Sequence, residues 1–147
     1  MGRVRSAPGP SACQACDVAS HHFPPATDDQ QAGFAPCFPV TDMQAALAHY
    51  DQLGFTVMPY ELGAEWGWVR FGNAEIHLYI KEDHDPTRTA AAADLHVIDC
   101  DALEHQWSAM GVPGTSDAYD TEYGMREAVH VDLDHNLIRF GSRLKKE

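Results

Sequence analysis

Aromatic and ionisable residues alternate along two neighbouring stretches of the chain, 66–70 and 75–79. Every second side chain of an extended strand points to the same face. The alternation therefore gathers six side chains on one side: Trp66, Trp68, Arg70, Glu75, His77 and Tyr79. Such a surface suits a flat, heteroaromatic, cationic ligand through ring stacking and cation–π contacts. The alternative for either tryptophan is a place in the hydrophobic core.

Nothing in the sequence indicates a nucleophilic catalytic site. Ser108 and Ser116 have no discernible base or orienting group, and no glycine-rich phosphate loop occurs. His130 and His135 have no recognisable partner, and we interpret them as structural or solvated.

The elements that position these residues are short strands and two helices. The predicted strands are 34–40, 55–60, 66–71, 74–80 and 95–98, with a hairpin inside 123–140. Turns are expected at Leu62-Gly63 and Gly72-Asn73, and polar loops at 81–91 and 113–122. The hairpin turn falls on 133–136, where Asp134 and Asn136 tolerate left-handed backbone angles.

The helices are bounded by capping residues. Thr41 or Asp42 begins the first and Gly54 ends it, whereas Asp99 begins the second and Gly111 ends it. Helical spacing predicts two buried stripes: Met43, Ala46, Leu47, Tyr50 and Leu53, then Ala102, Leu103, Gln106, Trp107 and Met110.

The two halves of the chain repeat. A shift of 57 residues pairs Asp42 with Asp99 and Tyr50 with Trp107, and the two hairpins match if the second turn is two residues longer. Each half is therefore a strand, a helix and three strands. We predict an α+β fold of two tandem βαβββ modules, about 34–80 and 92–144, with a curved mixed sheet around a cleft and helices on the outer face.

Composition limits the function further. The formal net charge of −12 disfavours nucleic acid and anionic membranes as partners and favours a cationic ligand. No apolar run reaches the ~20 residues of a membrane span, and no signal-peptide core is visible. We expect a cytoplasmic protein that does not bind a membrane.

The cysteines do not form a disulfide framework. Cys37 and Cys100 lie in apolar surroundings, which predicts reduced, buried thiols. Residues 1–33 are proline-rich without hydrophobic periodicity, so we expect a disordered extension before a domain spanning 34–147. A zinc site at Cys13 and Cys16 with His21 and His22 is disfavoured, because no predicted element holds it.

The doubled module resembles the vicinal oxygen chelate superfamily over residues 34–144, and the bleomycin resistance proteins most closely. The residues that carry the resemblance are Pro39-Val40-Thr41-Asp42, Tyr50, Leu53-Gly54-Phe55, Asp99, Asp101, Leu103, Trp107, Tyr123-Gly124-Met125-Arg126-Glu127, Asp132, Asp134 and Asn136. Two residues depart from the usual pattern: Tyr123 stands where many relatives carry Trp, and His135 where Gly is usual.

The resemblance implies a function and an assembly. It implies a homodimer that sequesters a bleomycin-class antibiotic without turnover, in crevices at the dimer interface, with an N-terminal strand open to exchange between protomers. The expected ligand-binding residues are Trp66, Trp68, Glu75, His77, Tyr79, Tyr123 and Arg139. The alternatives are a metal-dependent enzyme of the glyoxalase or dioxygenase type, and a binder of an unrelated small aromatic ligand.

Metal ligation separates the enzyme from the binder. The positions that hold the metal in the enzymatic relatives correspond to Ala35, His77, Ala92 and Arg139. Alanine offers no ligand atom, and the guanidinium of arginine is a permanent cation without an acceptor. We therefore expect no catalytic residues, no metal and no cofactor.

Overall fold

The computed structural model describes residues 34–60 and 63–144 of the 147-residue chain. The first module consists of β1 Cys37–Val40, α1 Met43–Gln52, β2 Thr56–Pro59, β3 Trp66–Phe71 and β4 Ala74–Ile80. After a 3-10 helix, Pro86–Arg88, the second module consists of β5 Ala92–His96, α2 Cys100–Ala109, β6 Tyr119–Asp120, β7 Met125–Val131 and β8 Leu137–Arg143. The predictions for residues 1–33 and for Leu62 lie outside the described residues.

The eight strands form two four-stranded mixed sheets, which confirms the α+β fold of two βαβββ modules. Sheet one has the order β1-β4-β3-β2, and sheet two has the order β5-β8-β7-β6. In each sheet the first strand of the module lies at an edge, parallel to the last strand. No helix among the described residues is long and apolar enough to cross a membrane.

Both helices begin at the positions that their capping residues predicted. The carboxylate of Asp42 accepts a hydrogen bond from the Ala45 amide at 3.0 Å, and Asp99 accepts one from Ala102 at 3.1 Å. Gly54 follows the first helix with φ of 87°, a left-handed angle that favours glycine. The second helix buries a narrower stripe than predicted, since Ala102, Gln106 and Met110 are exposed.

Three boundary predictions need correction. The strand expected at 95–98 is β5 Ala92–His96, because pairing with β8 starts at Ala92. The loop 81–91 contains the 3-10 helix, and the loop 113–122 contains β6.

Cys100 is buried as predicted, but Cys37 is exposed. Its strand is at the sheet edge, and its register partner is His77 on the face away from the helix.

The helix-covered faces of the two sheets share one hydrophobic core. The ring of Trp107 on α2 lies 4.8 Å from Phe140 in its own module and 6.0 Å from Phe55 in the other, between ring centroids. Ile76 and Leu78 of β4 are buried on this side, as the alternation predicted. The opposite face of β4, with Glu75, His77 and Tyr79, stays partly exposed.

The hairpin turn between β7 and β8 connects the two modules. The Asp132 carboxylate accepts four hydrogen bonds: from the Tyr50 hydroxyl, the Asp134 amide, and the amide and side chain of Asn136, at 2.8–2.9 Å. Asp134 in turn accepts from the amide and the hydroxyl of Thr41. The left-handed residue of this turn is His135, with φ of 62°, and not Asp134 or Asn136.

A buried pair of histidines lies beside this turn. The Nε2 atoms of His49 and His130 are 2.8 Å apart, and Nδ1 of His130 is 2.8 Å from the Thr115 hydroxyl. Burial, together with the nearby His49, lowers the pKa of His130 to about 4. Burial also lowers the pKa of His49, although the Asp132 carboxylate opposes this effect. His130 is therefore structural, as interpreted, and its partner belongs to the other module.

Asp132→Asn should lower the free energy of unfolding by about 2–4 kcal/mol, because an amide replaces a charged acceptor that faces four donors. Urea unfolding measures the change. Asp117→Asn is the matched control, since Asp117 is exposed. A loss no larger than that of the control would contradict the structural role of Asp132.

The free energy of unfolding should fall as the pH drops from 6.5 toward about 4. In this range the unfolded chain binds a proton at His130 that the folded chain does not bind. A pKa difference of about 2.5 corresponds to roughly 3 kcal/mol.

Urea unfolding at several pH values measures this dependence. His130→Gln should flatten it, because the amide does not titrate, whereas exposed His105→Gln should leave it unchanged. An equally steep dependence in His130→Gln would show that other groups are responsible.

Candidate functional site

Sheet one presents an aromatic surface on the face opposite its helix. The rings of Trp66 and Tyr79 are paired across β3 and β4 with centroids 5.7 Å apart, and those of Trp68 and His77 are 6.5 Å apart. The indole nitrogen of Trp68 lies 2.9 Å from the sulfur of Met58 on β2. Both tryptophans therefore lie on the open face, and neither is in the core formed by the helices.

Glu75 carries the negative charge of this surface, but the charge is largely balanced. Its carboxylate accepts from Nε of Arg70 at 3.1 Å, and its other oxygen is 2.9 Å from Nε2 of His77. Burial alone would raise the pKa of Glu75, but the hydrogen bonds and charges of these two partners lower it below its usual value. Glu75 thus orients His77 and Arg70 more than it offers a free charge to a ligand.

Sheet two presents a different surface, built on β5, β7 and β8. Arg139 binds both oxygens of Asp94 across the parallel pair, at 2.7 and 3.0 Å. The hydroxyl of Tyr123 donates to Glu127 at 2.7 Å, and this hydrogen bond, with the negative charge of Glu127, raises the pKa of Tyr123. A cavity of about 200 Å³ opens among these side chains; it is lined by Asp94, Leu95, His96, Tyr123, Met125, Glu127, Arg139 and Gly141.

The structure thus divides the predicted site residues between two sheets. Trp66, Trp68, Glu75, His77 and Tyr79 lie on sheet one, whereas Arg139 lies on β8 of sheet two and Tyr123 in the turn before β7. Their hydrogen bonds and ring contacts described above stay within each sheet. A single chain therefore offers two surfaces, each with part of the predicted set.

Two residues of sheet two were not predicted as ligand-binding: Asp94 and Glu127. Glu127 stands in the Gly-x-Arg-Glu motif, but motif membership alone does not show which way its side chain points. The sequence gives only a weak signal for Glu127, because the direction of its side chain can be predicted only if its pairing with Gly141 across β7 and β8 is known. The guanidinium of the neighbouring Arg126 is bound by Asp101 and Asp120 instead.

Two of the four positions compared with metal ligands, Ala92 and Arg139, lie on the paired strands β5 and β8. Ala92 begins β5, and Arg139 is ion-paired with Asp94 on the adjacent strand. Among residues 34–60 and 63–144, no group of three or more His, Cys, Asp or Glu side chains is arranged to hold a metal ion.

No family model and no curated protein matches this sequence. Solved structures do match. A bleomycin resistance determinant encoded on the transposon Tn5 aligns with a TM-score of 0.71 and 21% identity, over 77% of this chain and 98% of that one. A bleomycin-binding protein complexed with bleomycin aligns with a TM-score of 0.69 and 22% identity, over 77% and 99%. A glyoxalase-related enzyme from Clostridium phytofermentans aligns with a TM-score of 0.63 and 20% identity, over 77% and 95%.

These similarities establish the fold. The chain shares it with a bleomycin resistance determinant and with a glyoxalase-related enzyme, as the resemblance implied. Because one fold carries both a drug-binding protein and an enzyme, the fold itself does not decide between binding and catalysis.

Elemental analysis of the full chain carrying Cys13→Ser and Cys16→Ser should find far less than one transition-metal ion per molecule. The physical reason is that Ala35, Ala92 and Arg139 supply no ligand atom. One Zn, Mn, Fe or Ni ion per chain that disappears in His77→Ala would contradict this expectation and support an enzyme.

Proposed function

We propose that this protein binds a bleomycin-class antibiotic, or a close chemical equivalent with planar rings and a cationic group, and sequesters it without turnover. It acts as a homodimer in the cytoplasm. The observation that carries the proposal is the aromatic surface of sheet one, with the two ring pairs Trp66–Tyr79 and Trp68–His77 on an open face.

Open aromatic rings favour a planar ligand. A flat heterocycle that stacks on Trp66 or Trp68 would remove apolar surface from water and gain the attraction between offset rings. The indole faces also attract cations. The bleomycin complex among the structural neighbours supports this ligand class, since that protein shares the fold over nearly its whole length.

Electrostatics favours a cationic ligand. The formal net charge of the chain is −12, so a cation is attracted from a distance at low ionic strength. Close to the site, Glu75 and Asp94 are balanced by Arg70 and Arg139, whereas Glu127 pairs only with the neutral phenol of Tyr123. Local attraction therefore comes mainly from Glu127.

A second copy of the chain completes the site in this proposal. Each chain presents two partly exposed faces, one aromatic and one charged, on different sheets. A two-fold dimer that sets sheet one of one protomer against sheet two of its partner forms two equivalent crevices. Each crevice encloses more of a large ligand than either face does alone. Exchange of β1 between protomers remains a further prediction.

Binding without turnover is supported by the residues at the positions compared with metal ligands. Ala35 and Ala92 provide no donor, and Arg139 places a fixed cation there. Among the described residues, no arrangement of side chains favours a reaction of the bound ligand over simply holding it unchanged.

Isothermal titration with metal-free bleomycin should give one site per chain, with a dissociation constant at or below about 1 μM, near −8 kcal/mol. Added salt should weaken the affinity by screening the charge attraction. Trp68→Ala should weaken it more than Leu133→Ala, a control that removes an exposed apolar side chain from the hairpin turn. No heat at ~100 μM ligand would eliminate this function and favour an unrelated aromatic ligand.

A further inference from the structure

The cavity on sheet two has a chemistry of its own. Its volume of about 200 Å³ is below the range of roughly 300–1,000 Å³ that holds a whole drug-sized ligand. It therefore fits one compact group, and its lining shows which kind of group.

The missing side chain at Gly141 makes this cavity possible. Gly141 pairs with Glu127 across β7 and β8, and a Cβ atom at 141 would lie 2.8 Å from Cγ of Glu127 and 3.0 Å from the Arg126 carbonyl oxygen. Any larger residue at 141 would push the Glu127 side chain out of its place. The glycine thus lets a carboxylate lie across the sheet at the cavity wall.

Glu127 is placed to receive a positive charge. The residue is 7% exposed, and one carboxylate oxygen accepts from Tyr123, whereas the other accepts no hydrogen bond from the described residues. A carboxylate oxygen that receives no donor from the described residues favours a charged donor, which is a stronger partner than a neutral one.

Glu127 forms no ion pair with another of the described residues. Two carboxylates and one guanidinium line the cavity, and the guanidinium of Arg139 is bound through two hydrogen bonds to Asp94. Arg139 also attracts Glu127 through space, but its hydrogen bonds in this lining go to Asp94. With His96 counted as neutral, one formal negative charge therefore remains at the cavity wall.

We propose that this cavity is a receptor for a compact planar cation of the amidinium or guanidinium class, with Glu127 binding its N–H groups and the ring of Tyr123 covering its face. Tyr123 is 68% exposed, so its ring borders the entrance while its hydroxyl holds Glu127 in position. The inference deepens the proposed function, on which it rests for the identity of the whole ligand. It assigns the cationic group to sheet two and leaves the planar rings to sheet one.

Titration of the ¹⁵N-labelled full chain with benzamidine, benzamide and benzoate tests the cavity directly. Benzamidine should shift the amide resonances around Tyr123, Glu127 and Gly141 saturably. Neutral benzamide and anionic benzoate should bind at least about tenfold more weakly, because they lack the charged N–H donors. Equal affinity for the three probes, or no shift around Glu127, would overturn the proposal.

Variants identify the responsible residue. Glu127→Gln should remove the preference for benzamidine over benzamide, whereas Glu122→Gln, a change at an exposed carboxylate close by in the chain, should keep it. An unchanged preference in Glu127→Gln would contradict the assignment. If that variant does not fold, the comparison of the three probes on the unchanged protein still decides.

Competition separates this inference from the proposed function. If benzamidine binds at Glu127 and bleomycin does not bind at all, the cation receptor stands and the antibiotic assignment fails. If bleomycin binds with an affinity that neither benzamidine nor Glu127→Gln reduces, the antibiotic assignment stands and the cation receptor fails. The inference predicts competition, with at least about a tenfold loss of bleomycin affinity in Glu127→Gln.

Discussion

The rest of this structure depends on the hydrogen bonds that the buried carboxylate of Asp132 accepts. It closes the turn between β7 and β8 through two backbone amides and also accepts from the hydroxyl of Tyr50 in the other module. A buried acceptor of this kind is costly to leave unsatisfied. Because Asp134 in the same turn binds Thr41 beside the start of α1, a change at Asp132 would disturb both the turn and the contact between the modules.

The two modules share a backbone plan but differ in the chemistry of their open faces. By position in the ladder, Trp66 and its partner Tyr79 on sheet one correspond to Glu127 and its partner Gly141 on sheet two. Two rings in one module are thus replaced by a carboxylate and an empty space in the other. The repeat therefore provides two different surfaces, one suited to planar rings and one suited to a cation, and a ligand with both groups would use both.

Much of the fold could be predicted because its signals are local. Asp42 and Asp99 cap helices at the predicted places, and the bounds of β3 and β4 agree with the alternation of their residues. The start of β5 could not be predicted, since its alanines have little strand propensity and gain their order from β8. The exposure of Cys37 follows from its place on an edge strand, which its apolar neighbours in the sequence do not reveal.

The site was harder to predict because it depends on contacts between distant residues. The pairing of His49 with His130 joins positions in different modules, and the cavity beside Glu127 depends on Gly141 across the ladder. Alternation correctly placed Trp66 and Trp68 on one face. It could not show that Tyr123 lies beside the other sheet, in the turn before β7, which is what requires a second copy of the chain in our account.

Complementation between two defective variants tests this account most directly. In the proposed dimer, Trp68→Ala damages the sheet-one side of each crevice and Tyr123→Ala damages the sheet-two side. A mixed dimer then has one crevice with both changes and one crevice with neither. Unfolding and refolding the two variants together should restore high-affinity bleomycin binding to about a quarter of the wild-type capacity, since about half of the dimers are mixed and each has one intact crevice of two. No restored capacity in a sample shown to contain mixed dimers would contradict a site shared between two chains.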